Sequence, residues 1–86
     1  RDTIKAGLGE RMYTATFRTS DGVEDHDVPC TWTVEVDRDV QVAWKADGYA
    51  LCMSADASCV GAIVTLRVTA KGYPVGVKQV EVTSLL

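Results

Sequence analysis

Apolar and polar residues alternate with a period of two along most of this chain. The clearest example runs from Cys30 to Val36, where Cys, Trp, Val and Val alternate with Thr, Thr and Glu. Such alternation predicts a β-strand with one buried and one solvent-exposed face. Valine and threonine, whose branched side chains favour strands, dominate the composition, and a period of 3.6 is hard to find. The pattern therefore predicts an all-β protein.

Seven segments carry the strand pattern. They are Thr3–Ala6, Met12–Arg18, Cys30–Val36, Val40–Lys45, Tyr49–Met53, Ala62–Ala70 and Val75–Leu86. Turn residues separate most of them, and Asp47-Gly48 is a two-residue hairpin signal. The connection at Asp56-Ala57-Ser58 has room for one helical or 3₁₀ turn. Because no segment offers a crossover helix, we predict an immunoglobulin-like β-sandwich of about seven antiparallel strands in two sheets.

The inward faces of these strands predict the core. Its expected members are Phe17, Trp32, Val34, Val42, Leu51, Val64, Leu66, Val68, Val80 and Val82. Tyr13, Ala15, Tyr49 and Met53 fall on inward faces by the same alternation. Trp44 and Tyr73 are the two aromatic residues whose exposure the pattern leaves open. If exposed, they are candidates for a binding surface, since sugar faces and protein partners both use aromatic rings.

Length and charge narrow the class of protein. The chain has 86 residues, which suit one domain with a thin core. Its net charge of -3 argues against a nucleic-acid or anionic-membrane partner, whose binding surface would be basic. No apolar run approaches the roughly 18 residues of a membrane helix. The chain begins at Arg1, which predicts that residues 1–86 are one module of a longer protein.

Three cysteines leave two possibilities open. Cys52 and Cys59 are separated by a turn and could form a disulfide if their geometry permits. The alternative is that both, together with Cys30, are reduced thiols that pack as small apolar side chains. No Cys-x-x-Cys pair is present, which argues against a zinc or thioredoxin-like site.

An acidic segment contains the only other candidates for chemistry. Asp21, Glu24, Asp25 and Asp27 are hard oxygen ligands of the kind that Ca²⁺ uses, although their spacing does not match an EF-hand loop. A solvated acidic turn is the alternative. His26, the only histidine, lies between two of these aspartates without a Gly-x-Ser-x-Gly motif in the chain, so no catalytic residue and no cofactor is expected.

Several of these segments are similar to bacterial immunoglobulin-like (group 2-like) domains. Residues 9–17, Gly-Glu-Arg-Met-Tyr-Thr-Ala-Thr-Phe, resemble their opening, in which a glycine-rich turn leads into an alternating strand. Residues 31–34, Thr-Trp-Thr-Val, resemble their third strand, which carries a tryptophan. Residues 80–86 resemble the closing strand of such domains at the carboxyl end of tail proteins in phages and prophages of Gram-positive bacteria. The three cysteines and residues 55–61 depart from the family pattern.

The resemblance implies a structural role without catalysis. The chain would be the C-terminal module of a phage or prophage tail protein, assembled in the bacterial cytoplasm, where cysteines stay reduced. It would act as a spacer or bind the host surface weakly, with other domains or subunits of the parent protein as partners. The alternative is a carbohydrate- or receptor-binding module of a secreted or surface-anchored bacterial protein, which would contact a host glycan or protein.

Overall fold

The alternating segments form β-strands in the structure, a computed structural model that describes residues 2–25 and 28–85. Within those residues the strands are β1 (Asp2–Lys5), β2 (Arg11–Thr14), β3 (Phe17–Arg18), β4 (Glu24–Asp25), β5 (Thr31–Val36), β6 (Ala43–Ala46), β7 (Ala50–Ser54), β8 (Ile63–Thr69) and β9 (Gly76–Thr83). A single 3₁₀ turn spans Ala57–Cys59, in the connection where the sequence leaves room for one. The all-β prediction is confirmed.

The strands form three sheets. The larger sheet has the order β1-β9-β8-β5, the second has the order β2-β7-β6, and β3 pairs with β4 alone. The sequence predicted about seven strands in two sheets, whereas the described residues form nine strands in three. The difference arises because the predicted strand Met12–Arg18 breaks at Ala15–Thr16. Its last two residues pair with Glu24–Asp25, inside the segment that was expected to be a loop.

The prediction that all strands pair antiparallel is wrong at one place. β1 runs parallel to β9, with Asp2 opposite Val80 and Lys5 opposite Thr83. A parallel pair needs a long crossover connection, which is usually a helix between consecutive strands. Here almost the whole domain lies between the two strands, so the intervening strands provide the crossover.

The two larger sheets face each other in a sandwich-like arrangement across one core. Sixteen apolar residues are buried, and Leu51, Met53, Val64 and Val80 have no exposed surface. Every predicted core residue is buried except Val34, which is only partly covered. Val34 lies on the edge strand β5, where no further strand shields its outer side.

The hairpin between β6 and β7 is shifted by one residue from its predicted position. Asp47 N–H donates to Ala50 O at 3.1 Å, so Gly48 and Tyr49 are the two central residues. Gly48 has φ +93°, which fits a II′ turn with glycine in its first central position. Tyr49 therefore lies at the turn and is 49 % exposed, and its predicted inward orientation is wrong.

Candidate binding cleft

A cleft of about 940 Å³ opens along one side of the sandwich. It lies between β2, at the edge of the three-stranded sheet, and the first half of β9 in the four-stranded sheet. β1 covers β9 only from Val80 to Thr83. The cleft is therefore the part of the seam between the two sheets that β1 leaves open.

The deeper part of the cleft is apolar. Core residues from four strands line it, namely Tyr13, Phe17, Trp32, Leu66 and Val68. All five are at most 8 % exposed. The Phe17 ring packs against Tyr73, with 4.9 Å between the ring centroids, and Tyr73 lies at one end of the cleft. Apolar walls with a few polar groups are typical of ligand sites.

Two polar atoms of this lining are buried without a hydrogen-bond partner. They are the hydroxyl of Tyr13 and the indole Nε1 of Trp32; neither has a nitrogen or oxygen partner among the described residues, and the indole lies beside the Cys30 thiol, a weak acceptor. Burial raises the pKa of the Tyr13 hydroxyl further above physiological pH. Buried polar side chains in folded proteins are nearly always hydrogen-bonded, so an unpartnered pair beside one cleft is unusual.

Charged side chains cluster at the end of the cleft next to β1. Arg11 Nη2 and Lys78 Nζ lie 3.4 Å and 3.5 Å from the same oxygen, Asp2 Oδ2. Arg11 also donates to Thr3 O at 2.6 Å, and its guanidinium carbon lies 5.6 Å from the centre of the Tyr13 ring. The Thr3 N–H, followed by the two cations, holds the pKa of Asp2 below its usual value. Two cations thus share one carboxylate.

A second ion pair lies toward the other end. Arg18 Nη2 is 2.5 Å from Glu24 Oε1, across the β3–β4 pair. Near it, the Tyr73 hydroxyl donates to the Asp25 carboxylate, and this hydrogen bond is the main reason why the pKa of Tyr73 is raised. The ion pair lies within the β3–β4 pair, and the hydrogen bond between Tyr73 and Asp25 joins that pair to the turn before β9.

The structure gives each described member of the predicted calcium set a different partner. Asp21 accepts from the Thr19 hydroxyl, which lowers its pKa, while Glu24 pairs with Arg18 and Asp25 with Tyr73. Asp27 and His26 lie outside the described residues. Residues 2–25 and 28–85 contain no group of three or more His, Cys, Asp or Glu side chains that could hold a metal.

Trp44 and Tyr73 are not brought together. Trp44 lies on the edge strand β6 opposite Met53 and is 45 % exposed, and it does not line the cleft. Tyr73 is half-buried against Phe17 at the cleft. The two aromatic residues therefore belong to different surfaces rather than to one platform.

The three cysteines are free thiols in this structure. Cys59 is fully buried, and its Sγ donates to Gln41 O at 3.2 Å. Cys52 lies between Leu51 and Met53 on β7, so the alternation of the strand turns it to the outer face of the sheet. Burial raises the pKa of the Cys30 thiol, whose Sγ donates to Gly48 O at 3.0 Å.

Sequence reasoning missed the charged end of the cleft. A signal was nevertheless present, because Val80 and Val82 face inward and the same alternation places Lys78 on the inner face of β9. Arg11 likewise shares the inner face with Tyr13. A lysine and an arginine at inward positions break the alternation, and such breaks mark edges or sites.

Comparisons of the chain with models of protein families, with curated proteins and with solved structures found no match. Among the described residues, no helix is long and apolar enough to cross a membrane.

Proposed function

We propose that this chain is a non-catalytic, immunoglobulin-like module that serves as a spacer and contact domain of a phage or prophage tail protein. The resemblance of its opening, third-strand and closing segments to bacterial immunoglobulin-like domains suggested this role. The strand order supports the fold on which the proposal depends. The direction of the terminal strands supports the role itself.

The strand order is compatible with an immunoglobulin-like sandwich. With the short β3 and β4 set aside, the remaining seven strands can be lettered A to G in chain order. The sheets then read B-E-D and C-F-G, with A beside G. Constant-type immunoglobulin domains have the orders A-B-E-D and C-F-G, and a buried tryptophan on strand C, which Trp32 matches. The first strand departs, because it joins G instead of B.

The parallel pairing of the first and last strands is the observation that carries the spacer role. Because β1 and β9 run in the same direction, the chain enters and leaves the sandwich along one axis. The domain measures 44 × 21 × 19 Å, so it is elongated. Asp2 lies opposite Val80, so the chain enters beside the middle of β9 and leaves beyond its end, and the domain can hold two neighbours apart along that strand, with other domains or subunits of the parent protein as partners.

The experiment is to locate the chain in its parent. Purified phage particles from the source strain would be analysed by mass spectrometry for peptides of this sequence, and the parent reading frame would be read upstream of it. We expect the peptides in the particle fraction, with a tail-type region preceding the module. Recovery in the secreted or cell-wall fraction, together with a signal peptide in the parent, would overturn the proposal.

A second candidate function is favoured by Trp44. This side chain is 45 % exposed, whereas Trp32 is 7 % exposed. An exposed tryptophan suits stacking on a sugar ring or a receptor, as in a carbohydrate- or receptor-binding module of a secreted or surface-anchored protein. On a glycan array, binding that is lost in Trp44→Ala and kept in Tyr49→Ala, a matched exposed aromatic, would favour this second function.

A further inference from the structure

The backbone groups of β9 alternate between the two sides of the strand. Val82 N–H donates to Ala62 O at 3.0 Å, so the even-numbered residues of β9 direct their N–H and C=O groups at β8. The odd-numbered residues direct theirs to the other side. Ala6 N–H donates to Thr83 O at 2.9 Å, which agrees with this assignment.

β1 uses only part of that other side. Its register covers β9 from Val80 to Thr83. In the part of the chain that the structure describes, no strand lies beside Gly76–Gln79 there, so both backbone groups of Val77, which lines the cleft, and the N–H of Gln79 lie on the open side of β9 without a strand partner. Unpaired strand edges are templates on which another strand can add.

The opposite wall of the cleft is a strand edge as well. Asp47 N–H donates to Ala50 O, so the backbone groups of Ala50 point to β6 and those of Leu51 and Met53 point to β2. Arg11 and Tyr13 lie opposite Met53 and Leu51, so their backbone groups bond to β7. The backbone groups of Met12 and Thr14 therefore point to the side of β2 that faces away from β7. The cleft therefore lies between two open edges that belong to different sheets.

We propose that the cleft binds an extended acidic peptide segment of a partner protein, which adds as a strand to β9 at Gly76–Gln79. Strand addition of this kind takes affinity from backbone hydrogen bonds and specificity from alternate side chains. The inference goes beyond the spacer role and does not depend on it.

Lys78 determines the charge of this partner. It lies opposite Leu66, on the face of β9 that points to the core, yet its side chain is 55 % exposed because nothing covers it. A strand added here would cover Lys78 and Arg11, and within residues 2–25 and 28–85 their ion-pair partner is the single Asp2 carboxylate. Covering a cation without a partner is costly. A carboxylate on the incoming strand removes that cost, so an acidic segment is admitted and an apolar or basic one is rejected.

The apolar part of the cleft suits the inward side chains of the same segment. Gly76 lies opposite Val68, whose side chain fills the space beside it, and Val68 and Trp32 line the apolar part of the cleft that the incoming strand would cover. The Tyr13 hydroxyl, buried without a partner, offers a hydrogen bond to a polar group that enters beside it. A segment whose inward-facing positions carry apolar residues on either side of one acidic residue therefore matches the lining.

The test uses synthetic peptides and the folded chain. The probe is an end-capped heptapeptide, Thr-Val-Thr-Glu-Thr-Val-Thr, which places both valines and the glutamate on one face of the strand, and its control carries lysine in place of glutamate. A third peptide is N-methylated at alternate residues, which removes backbone donors but keeps every side chain. Binding is followed through the amide NMR signals of the chain and through hydrogen exchange of Val77 and Gln79.

We expect the glutamate peptide to shift the signals of Val77 and Gln79 and to slow their exchange. The lysine peptide should bind at least about tenfold more weakly. The N-methylated peptide should lose binding to a similar degree. Equal binding of the glutamate and N-methylated peptides would overturn strand addition, and equal binding of the glutamate and lysine peptides would overturn the acidic partner.

Variants of the chain make the test specific to the cleft. Lys78→Glu should reverse the preference between the two peptides, whereas Lys45→Glu, the same charge change on the outer face of the other sheet, should leave it intact. If Lys78→Glu does not fold, Lys78→Gln should abolish the preference. A preference unchanged in these Lys78 variants would contradict the proposal.

Other occupants are outcomes of the same measurement. Concentration-dependent changes at Val77 and Gln79 without peptide would assign the edge to a second copy of the chain and overturn the partner assignment. Shifts confined to β6 around Trp44 would also overturn it. Neither result bears on the location of the module in its parent particle, so failure here is distinguishable from failure of the spacer role.

Discussion

The two halves of the seam between the sheets differ in how well they are closed. Where β1 covers it, Ile4, Val80 and Val82 are 4 %, 0 % and 1 % exposed. Where β1 is absent, Tyr13 and Val68 are 7 % and 8 % exposed beside an open cleft. Val68 and Val80 are the same residue type on adjacent strands, so intrinsic hydrophobicity does not explain the difference. The difference arises because β1, a strand of four residues, covers only one half of the seam.

Hydrogen bonding follows the same division. In the covered half, β1 pairs with β9 along Val80–Thr83, and Gly61 and Ala62 both bond to Val82. In the open half, the Tyr13 hydroxyl has no partner. The covered half is therefore suited to stability and the open half to binding, since sites retain unsatisfied groups that a ligand can pair.

Removing volume from the covered half should have the largest effect on stability. Val82→Ala deletes two methyl groups from a residue that is 1 % exposed. We expect the free energy of unfolding to fall by about 2–4 kcal/mol, from lost burial and a residual cavity. Urea denaturation followed by tryptophan fluorescence would measure it.

Val77→Ala is the matched control, because it makes the same change on the same strand at a residue that is 56 % exposed. Its effect should stay within about 0.5 kcal/mol. Equal losses in the two variants would show that the inner face of β9 in the covered half is no more tightly packed than its exposed outer face.

A methyl group added to the open half should lower the free energy of unfolding by an intermediate amount. In Gly76→Ala the new Cβ would lie 2.9 Å from Val68 Cγ1, which is too close for unstrained packing. We expect a loss of about 1–3 kcal/mol in the free energy of unfolding. Because Val68→Ala removes the clashing methyl, the double variant should lose less than the sum of the two single variants. Additive losses would contradict this contact.

Acid should weaken the ion cluster of Asp2, Arg11 and Lys78, which joins β1, β2 and β9. The pKa of Asp2 is lowered by the Thr3 N–H and then by Arg11 and Lys78. A carboxyl group with a lowered folded pKa contributes stability above its unfolded pKa, about 3.9, and that contribution disappears as pH falls through the folded pKa.

We therefore expect the melting temperature to decrease as pH is lowered below about 4, with a smaller decrease in Asp2→Asn. Asp21, Asp37 and Asp56 also have lowered pKa values and contribute to the remaining acid sensitivity. An identical pH dependence of the melting temperature in Asp2→Asn and the unaltered chain would show that the Asp2 ion cluster does not contribute to the acid sensitivity.

Thiol reactivity compares a buried and a half-buried cysteine in the unaltered chain, without a substitution that changes its stability. With all three cysteines free, a thiol reagent should titrate three groups in the denatured chain without reductant. In the native chain, Cys59, which is fully buried, should react more slowly than half-buried Cys52. A total of one thiol would instead show that two of the three cysteines are joined, as the spacing of Cys52 and Cys59 allows.

Some features of the fold could be predicted from local pattern alone. The strand Thr31–Val36 and the core positions of β8 follow from alternation, because a pleated strand places every second side chain on one face. The break at Ala15–Thr16 did not show in the pattern, since both residues continue the alternation. The two-residue β3 forms only because Glu24–Asp25 lies beside it.

The candidate site was less predictable. The acidic residues attracted attention because of their density in the sequence, yet the described ones bind separate partners. The cleft depends on where β1 ends relative to β9, and strand register over long sequence separations has no local signal. Lys78 was visible only as a break in an alternation, and its meaning depends on Asp2 and Arg11, which lie far from it in the chain.

The sequence by itself determined the class of the protein and most of its core, because the alternation of side chains and the residue types at turns act locally. Tertiary structure alone decided that β1 lies parallel to β9, that it covers only half of the seam, and that two cations meet one carboxylate at its end. These features depend on pairing between residues almost 80 positions apart. Pairing at that distance is selected by the packing of the whole domain rather than by any short segment.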